Sequence, residues 1–259
     1  MDIIVCIKRV PDLAEAELEI DAEGRGLETE DLDFDINEWD DFAVEAAVQL
    51  KEKHGGKVTA ITVGDEDAEE VLRRALAMGA DEAILLSDDA FEGADPFATA
   101  KALHACIKAR PFDLIVCGAI SSDGTSGHVG GMLAAMLDVP QVALATGLEV
   151  EGGKALVRHE VEAGLEREVE MDLPCLVTAQ SGLNEPRYVS IRGIRKVANV
   201  EITERAAGDL GLAEDAVGRR VQLDGIAFPE TGGGAEILEG SVDDAVATLV
   251  ERLRERGGL

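Results

Sequence analysis

The 259-residue sequence predicts a doubly wound α/β fold: a mostly parallel sheet with helices on both faces, a small antiparallel meander and a C-terminal helical arm. Three observations lead there. Apolar runs at residues 3–7, 58–63, 83–86 and 114–117 have the length and continuity of strands buried on both faces. The segments between them repeat apolar residues at helical spacing, and a Gly-Gly pair at 152–153 divides alternating stretches as a hairpin turn does.

Taken in order, the first strand is 3–7. After Asp40, Ala43, Ala46, Ala47 and Leu50 share one helical face. Strand 58–63 follows, and Asp65 then precedes a helix with Val71, Ala75 and Met78 on one face, closing at Gly79. Beyond strand 83–86, Asp95-Pro96 starts a helix, because Asp caps well and Pro suits the first helical turn; Phe97, Ala100, His104 and Ile107 are expected to face inward. Strand 114–117 runs into a glycine-rich loop that opens the next helix. Residues 147–172 read as the antiparallel hairpin, and 175–179 as a strand returning to the parallel sheet. Residues 199–236 read as irregular. The last segment, 241–256, is a capped amphipathic helix with Val242, Ala245, Val246, Leu249 and Leu253 on one face and Gly257 beyond it. The division expected is an α/β domain at 1–198, hairpin included, and a C-terminal extension and arm at 199–259.

Charge narrows the partners. With 53 acidic and 24 basic residues the formal net charge is −29, which repels nucleic acid and anionic lipid and argues against both. Only 8 of the basic residues are lysine, and the acids are spread along the chain, the bias of a halophile's protein. Strong salt screens such self-repulsion, so melting temperature is expected to fall when salt is dialysed away; a melting curve indifferent to salt would sink this reading. Cys6, Cys106, Cys117 and Cys175 are far apart in apolar runs without metal-ligand spacing, which suits buried thiols in a reduced cytoplasm. No signal peptide and no apolar run long enough to span a bilayer is read, so a cytoplasmic location is expected without membrane insertion.

The candidate site is the loop after strand 114–117. Gly118, Asp123, Gly124, Thr125, Ser126, Gly127, His128 and Val129 put small residues and free amides at a helix start, where the helix dipole attracts an anion such as a nucleotide phosphate. Neither the Lys-Ser/Thr ending of a P-loop nor the dinucleotide glycine spacing is present, and the local pattern equally suits an ordinary strand-to-helix turn. In open parallel sheets ligands sit beyond the carboxyl ends of strands, so the loops after Cys6 and Val63 are expected to enclose one mononucleotide together with this one, the alternative being that they are ordinary strand ends. His54, His104, His128 and His159 share no ligand spacing, and no nucleophile, metal or acid–base motif occurs. These residues bind; no catalytic or metal-ligating residue is expected.

Several stretches then match a known family in its own order: Cys6-Ile7-Lys8-Arg9-Val10-Pro11-Asp12, Asn37 with the helix through Ala43 to Ala47, and Arg74 to Asp81. Asp123 to Met132 with Val139-Pro140-Gln141, Leu183-Asn184-Glu185-Pro186-Arg187-Tyr188 and Ile194-Arg195-Lys196 continue the series. The chain resembles the beta subunit of electron-transfer flavoprotein over about residues 1 to 198. The resemblance implies a non-catalytic electron carrier between acyl-CoA or related dehydrogenases and a quinone oxidoreductase. It implies pairing with an alpha subunit that shares FAD, on which the 199–259 arm packs, and AMP bound structurally in the beta chain. The AMP contacts it implies are Cys6, Asn37, Glu38, Trp39, Asp40, Val63 and the loop 118–129. Leu183, Asn184, Glu185, Pro186, Arg187, Tyr188, Ile191 and Lys196 match the segment that docks on dehydrogenases, with Ile191 where the family has an exposed leucine. Glu160 matches an acid that pairs with the mobile domain.

Two alternatives stand beside this expectation. One is an electron-bifurcating version in which a second FAD replaces AMP and oxidises NADH. The other, from a different class, is an ATP-binding regulator of the universal-stress type with a similar layered core. The adenosine portion would bind alike in the AMP and FAD versions, so the sequence does not separate those two.

Overall fold

The computed structural model describes residues 1–13, 16–213, 217–229 and 234–258. Two compact units emerge, one of residues 1–19 and 27–224, the other of 20–26 and 225–259. The larger contains β1 (Asp2–Cys6), β2 (Arg9–Pro11), β3 (Phe34–Ile36), α1 (Glu38–His54), β4 (Lys57–Val63), α2 (Glu69–Met78), β5 (Glu82–Leu86), α3 (Pro96–Ile107) and β6 (Leu114–Gly118). It continues through α4 (Val129–Leu137), β7 (Gln141–Glu151), β8 (Lys154–Val161), β9 (Leu165–Asp172), β10 (Cys175–Ala179), α5 (Ile191–Val197) and β11 (Thr203–Arg205).

The main sheet runs β11-β5-β4-β1-β6-β10-β7-β8-β9, parallel through the first seven and antiparallel through the meander. The chain builds outward from β1 through β4 to β5, then returns to place β6 on the other side of β1. Strand order therefore reverses between β1 and β6, which puts a crevice beyond their carboxyl ends. The apolar runs fill two cores, one per face. Ile3, Val5, Val58, Ala60 and Val116 pack with α1 and α2, while Ile4, Ile61, Ile84, Ile115 and Leu176 pack with α3 and α4. Successive strand residues alternate between the faces, and both faces are covered, which is why the strands are apolar throughout.

Most expected elements form, with instructive differences. Asp95 caps α3, its side chain accepting from the Ala98 amide at 2.8 Å, with Pro96 in the first turn. The inward stripe is Ala98, Ala102, Leu103 and Cys106 together with Ala100 and Ile107. Phe97 and His104 are only half-buried, against expectation; the Arg220 guanidinium lies 3.9 Å over the Phe97 ring and holds it at the helix margin. Gly152 and Gly153, both at positive φ, make the expected hairpin turn. The strand before that turn, however, starts at Gln141 rather than 147, running parallel to β10 before turning antiparallel to β8. Its small residues, Ala143, Ala145 and Gly147, hide it from strand propensity. Within 199–236, β11 adds to the sheet edge beside β5, so this stretch is not wholly irregular.

In the smaller unit, α6 (Val242–Glu255) is capped by Ser241, whose hydroxyl accepts from the Asp244 amide. Its apolar residues Val242, Val246, Leu249 and Leu253 are exposed. No described helix is long and apolar enough to cross a membrane.

Candidate functional site

Asp40 is the hinge of the crevice. It sits in the first turn of α1, and its carboxylate accepts the Lys8 amide at 2.8 Å through Oδ2 and the Gly118 amide at 2.8 Å through Oδ1. One buried side chain thereby ties together the ends of β1 and β6, where strand order reverses. Burial pushes its carboxyl up from 3.8 to about 7, against the opposing pull of the Gly118 and Lys8 amides. A raised pKa makes the neutral form the stabilising one. Its contribution is complete below the unfolded value and is lost as pH rises through the folded one. The stability advantage of the wild type over Asp40→Asn is therefore expected to shrink between about pH 4 and about pH 7, read from melting curves of both across pH. An advantage constant over that range would mean the carboxylate is ionised throughout.

Asn37 holds the loop that follows. It is buried, donates from Nδ2 to the Ile120 carbonyl at 2.9 Å and accepts the Ser122 amide at 3.2 Å. Lys8 Nζ reaches across to Asp123 Oδ2 at 2.5 Å and lies 3.5 Å from Ser121 Oγ. Burial acts to raise the Asp123 carboxyl, but Lys8 and Ser121 hold it below the usual range. Gly118 is required here, since a Cβ would lie 2.3 Å from Asp40 Oδ1 and 3.1 Å from Asn37 Nδ2.

The expected contacts divide by role. Residues 122–128 are exposed at the crevice mouth. Of the six amides from 124 to 129, two are occupied: Gly124 donates to the Asp123 side chain at 2.7 Å and Thr125 to the Ser121 carbonyl at 2.9 Å. Those of Ser126, Gly127, His128 and Val129 make no hydrogen bond among the described residues and head α4. Gly127, at φ +63°, makes the turn into that helix. Val63 is half-buried at the end of β4, Glu38 is exposed and Trp39 half-buried. Cys6 is buried beside Cys117 and Asp40; burial raises its thiol well above 9.0, and that of Cys117 to about 12, so both stay protonated. Among the described residues no group of three or more His, Cys, Asp or Glu is placed to hold a metal.

The segment from Leu183 lies on the α1 flank. Asn184 donates to the Phe42 carbonyl at 2.9 Å, and Arg187 grips Glu45 and Glu52 with its whole guanidinium. Glu185 and Lys196 are exposed, Pro186 is half-buried, and Tyr188 and Ile191 are 90% and 71% exposed. Glu160 is exposed and lies 3.4 Å from the Gln180 side-chain amide. Lys8 and Glu45 lie in stretches that the sequence singles out, but neither they nor Glu52 are assigned a role there. Lys8 stood next to a strand end, a signal that was available, whereas two glutamates among 53 acids carry none.

Fold and site define a doubly wound α/β protein with a glycine-built candidate anion site at its topological switch point. An electron transfer flavoprotein domain matches residues 26–210. The chain is 42% identical, over 99% of both chains, to the electron transfer flavoprotein subunit beta of Thermoanaerobacterium thermosaccharolyticum. It is 38% identical, over 98% of both, to that of Bacillus subtilis. It is also 38% identical, over 99% of both, to caffeyl-CoA reductase-Etf complex subunit CarD of Acetobacterium woodii. The chain belongs to the electron transfer flavoprotein family.

Proposed function

We propose that this chain is the beta subunit of a heterodimeric electron carrier, holding AMP in its own crevice while the redox FAD is shared with an alpha subunit. The observation that supports the AMP reading is the run of amides at 126–129, which make no hydrogen bond among the described residues and head α4 beside the exposed glycine-rich turn. An adenine nucleotide fits such a crevice with its phosphate at the α4 start and its adenosine toward Val63 and the end of β1. Asn37 and Asp40 serve as struts: their polar atoms are turned to the chain's own loops. The flavin supplies the redox chemistry when bound; the residues of this chain bind, orient and exclude water. Cytoplasmic acyl-CoA or related dehydrogenases are the donors in this reading, a quinone oxidoreductase the acceptor, and the exposed apolar face of α6 packs on the alpha subunit.

A second reading places FAD in the beta crevice in an electron-bifurcating complex. The likeness to a subunit of a caffeyl-CoA reductase complex favours it. One experiment decides between them: co-purify the chain with its alpha subunit in high salt, denature, and quantify released nucleotides. One AMP and one FAD per heterodimer supports the first reading, and two FAD without AMP the second. A flavin-free homodimer carrying ATP would restore the regulator.

A further inference from the structure

The docking segment is tied to the body of the protein by two arginines, Arg187 reaching in from the segment and Arg73 reaching out from α2. At its start, Arg187 donates from Nε and Nη2 to the two oxygens of Glu45 at 2.8 and 3.1 Å, and from Nη1 and Nη2 to those of Glu52 at 2.8 and 3.2 Å. Its own backbone amide also reaches Glu45 at 3.1 Å. A guanidinium with both forks on carboxylates is a fixed object, because bidentate geometry restricts rotation as well as distance. Glu45 is buried, and Gln49 donates to it at 2.8 Å. Burial alone would raise its carboxyl, yet Arg187 and Gln49 hold it below the ordinary value.

At the far end, Arg73 from α2 donates through Nη1 to the Val197 carbonyl at 3.0 Å and the Val200 carbonyl at 2.5 Å, closing the last turn of α5. Ser190 caps the start of α5, accepting the Gly193 amide at 3.1 Å. Val189, Val197 and Val200 pack on the core, while Tyr188, Ile191 and Ile194 between them are exposed. Residues 186–200 hold four basic residues and no acid, in a chain of net charge −29.

We propose that Arg187 and Arg73 are positioning residues, which pre-set residues 188–196 so that Tyr188 and Ile191 are presented in a fixed geometry to the electron-exchange partner. The assignment rests on the docking reading above and adds to it: Arg187, matched by resemblance to a docking contact, works through Glu45 and Glu52 instead. Pre-ordering matters because a mobile segment would have to be immobilised at every encounter, at a cost in affinity.

The test uses the heterodimer, with an acyl-CoA dehydrogenase reduced by butyryl-CoA as the probe. Arg187→Met, Glu45→Gln, the milder Glu52→Gln and Arg73→Met are each expected to raise KM for the dehydrogenase, by about tenfold for the first two, with kcat and FAD content unchanged. The Arg187→Met/Glu45→Gln double variant should be no worse than either single one, because both remove the same clamp. Trypsin should cut faster at Arg192, Arg195 and Lys196 in all of them. If Arg187→Met raises KM while Glu45→Gln and Glu52→Gln leave it unchanged, Arg187 touches the partner directly and the clamp is overturned. Additive losses in the double variant, or unchanged tryptic cleavage, overturn it as well. Failure of the docking reading looks different: Ile191→Ala would leave KM unchanged, and the tryptic rates would still report on the clamp.

Discussion

Gly118→Val is expected to be the most damaging single substitution at the crevice, lowering stability by about 3 kcal/mol and emptying the proposed nucleotide site. The position tolerates no Cβ: one placed there would sit 2.3 Å from Asp40 Oδ1, 3.0 Å from Trp39 Cβ and 3.1 Å from Asn37 Nδ2. Neighbours can sometimes yield, but Asp40 and Asn37 are buried and each is engaged in two hydrogen bonds. Moving Asp40 would leave the Lys8 and Gly118 amides without their acceptor and unfasten β1 from β6 at the switch point. Gly152→Ala is the matching control. That glycine, at φ +60°, has nothing within 4 Å of a built Cβ, so its cost is confined to backbone strain of about 1 kcal/mol. Urea unfolding gives the stabilities, and nucleotide released per mole of folded protein gives the occupancy. Equal losses in the two variants would mean that the crowding at Gly118 is relieved without harm.

The crevice was legible because it arises from strand ends, and strand ends follow from apolar runs. Cys6, Val63 and Gly118 end three adjacent strands, and no pairing information beyond the strand order was needed to bring them together. What held them was not legible. Asp40 lay among abundant acids, and nothing in the local pattern distinguished a buried carboxylate bridging two strand-end amides from a solvated one at a helix start. The same difficulty hid the Arg187 clamp, whose partners Glu45 and Glu52 lie some 140 residues away along the chain. Periodicity identifies faces; it does not say which polar residue on a face has been desolvated. The unrecognised first half of β7 has a different cause. A sheet strand of Gln, Val, Ala, Leu, Ala and Thr is held by its neighbours β10 and β8, through burial of Val142 and Ala145, and not by intrinsic propensity.

Ile191→Ala is expected to raise KM for the reduced dehydrogenase by about 10- to 30-fold, as loss of an apolar interface anchor does, with kcat and assembly with the alpha subunit unchanged. The expected pattern follows from where the side chain lies. At 71% exposure Ile191 adds little to the folded chain, so its removal should leave the melting temperature within about 1–2 °C of wild type. Arg192, Arg195 and Lys196 around it are exposed, and this basic island on a strongly acidic chain should speed encounter with an acidic rim on the partner. Two dependences then separate. Salt should slow the association of wild type and variant alike, since screening acts on the charged rim, whereas the deficit of Ile191→Ala should persist at every ionic strength, since it comes from lost apolar burial. Stopped-flow reduction across a salt series measures both. A deficit that vanished in high salt would assign the variant's effect to the charged rim, and weakened heterodimer assembly would transfer this segment to the alpha-subunit interface.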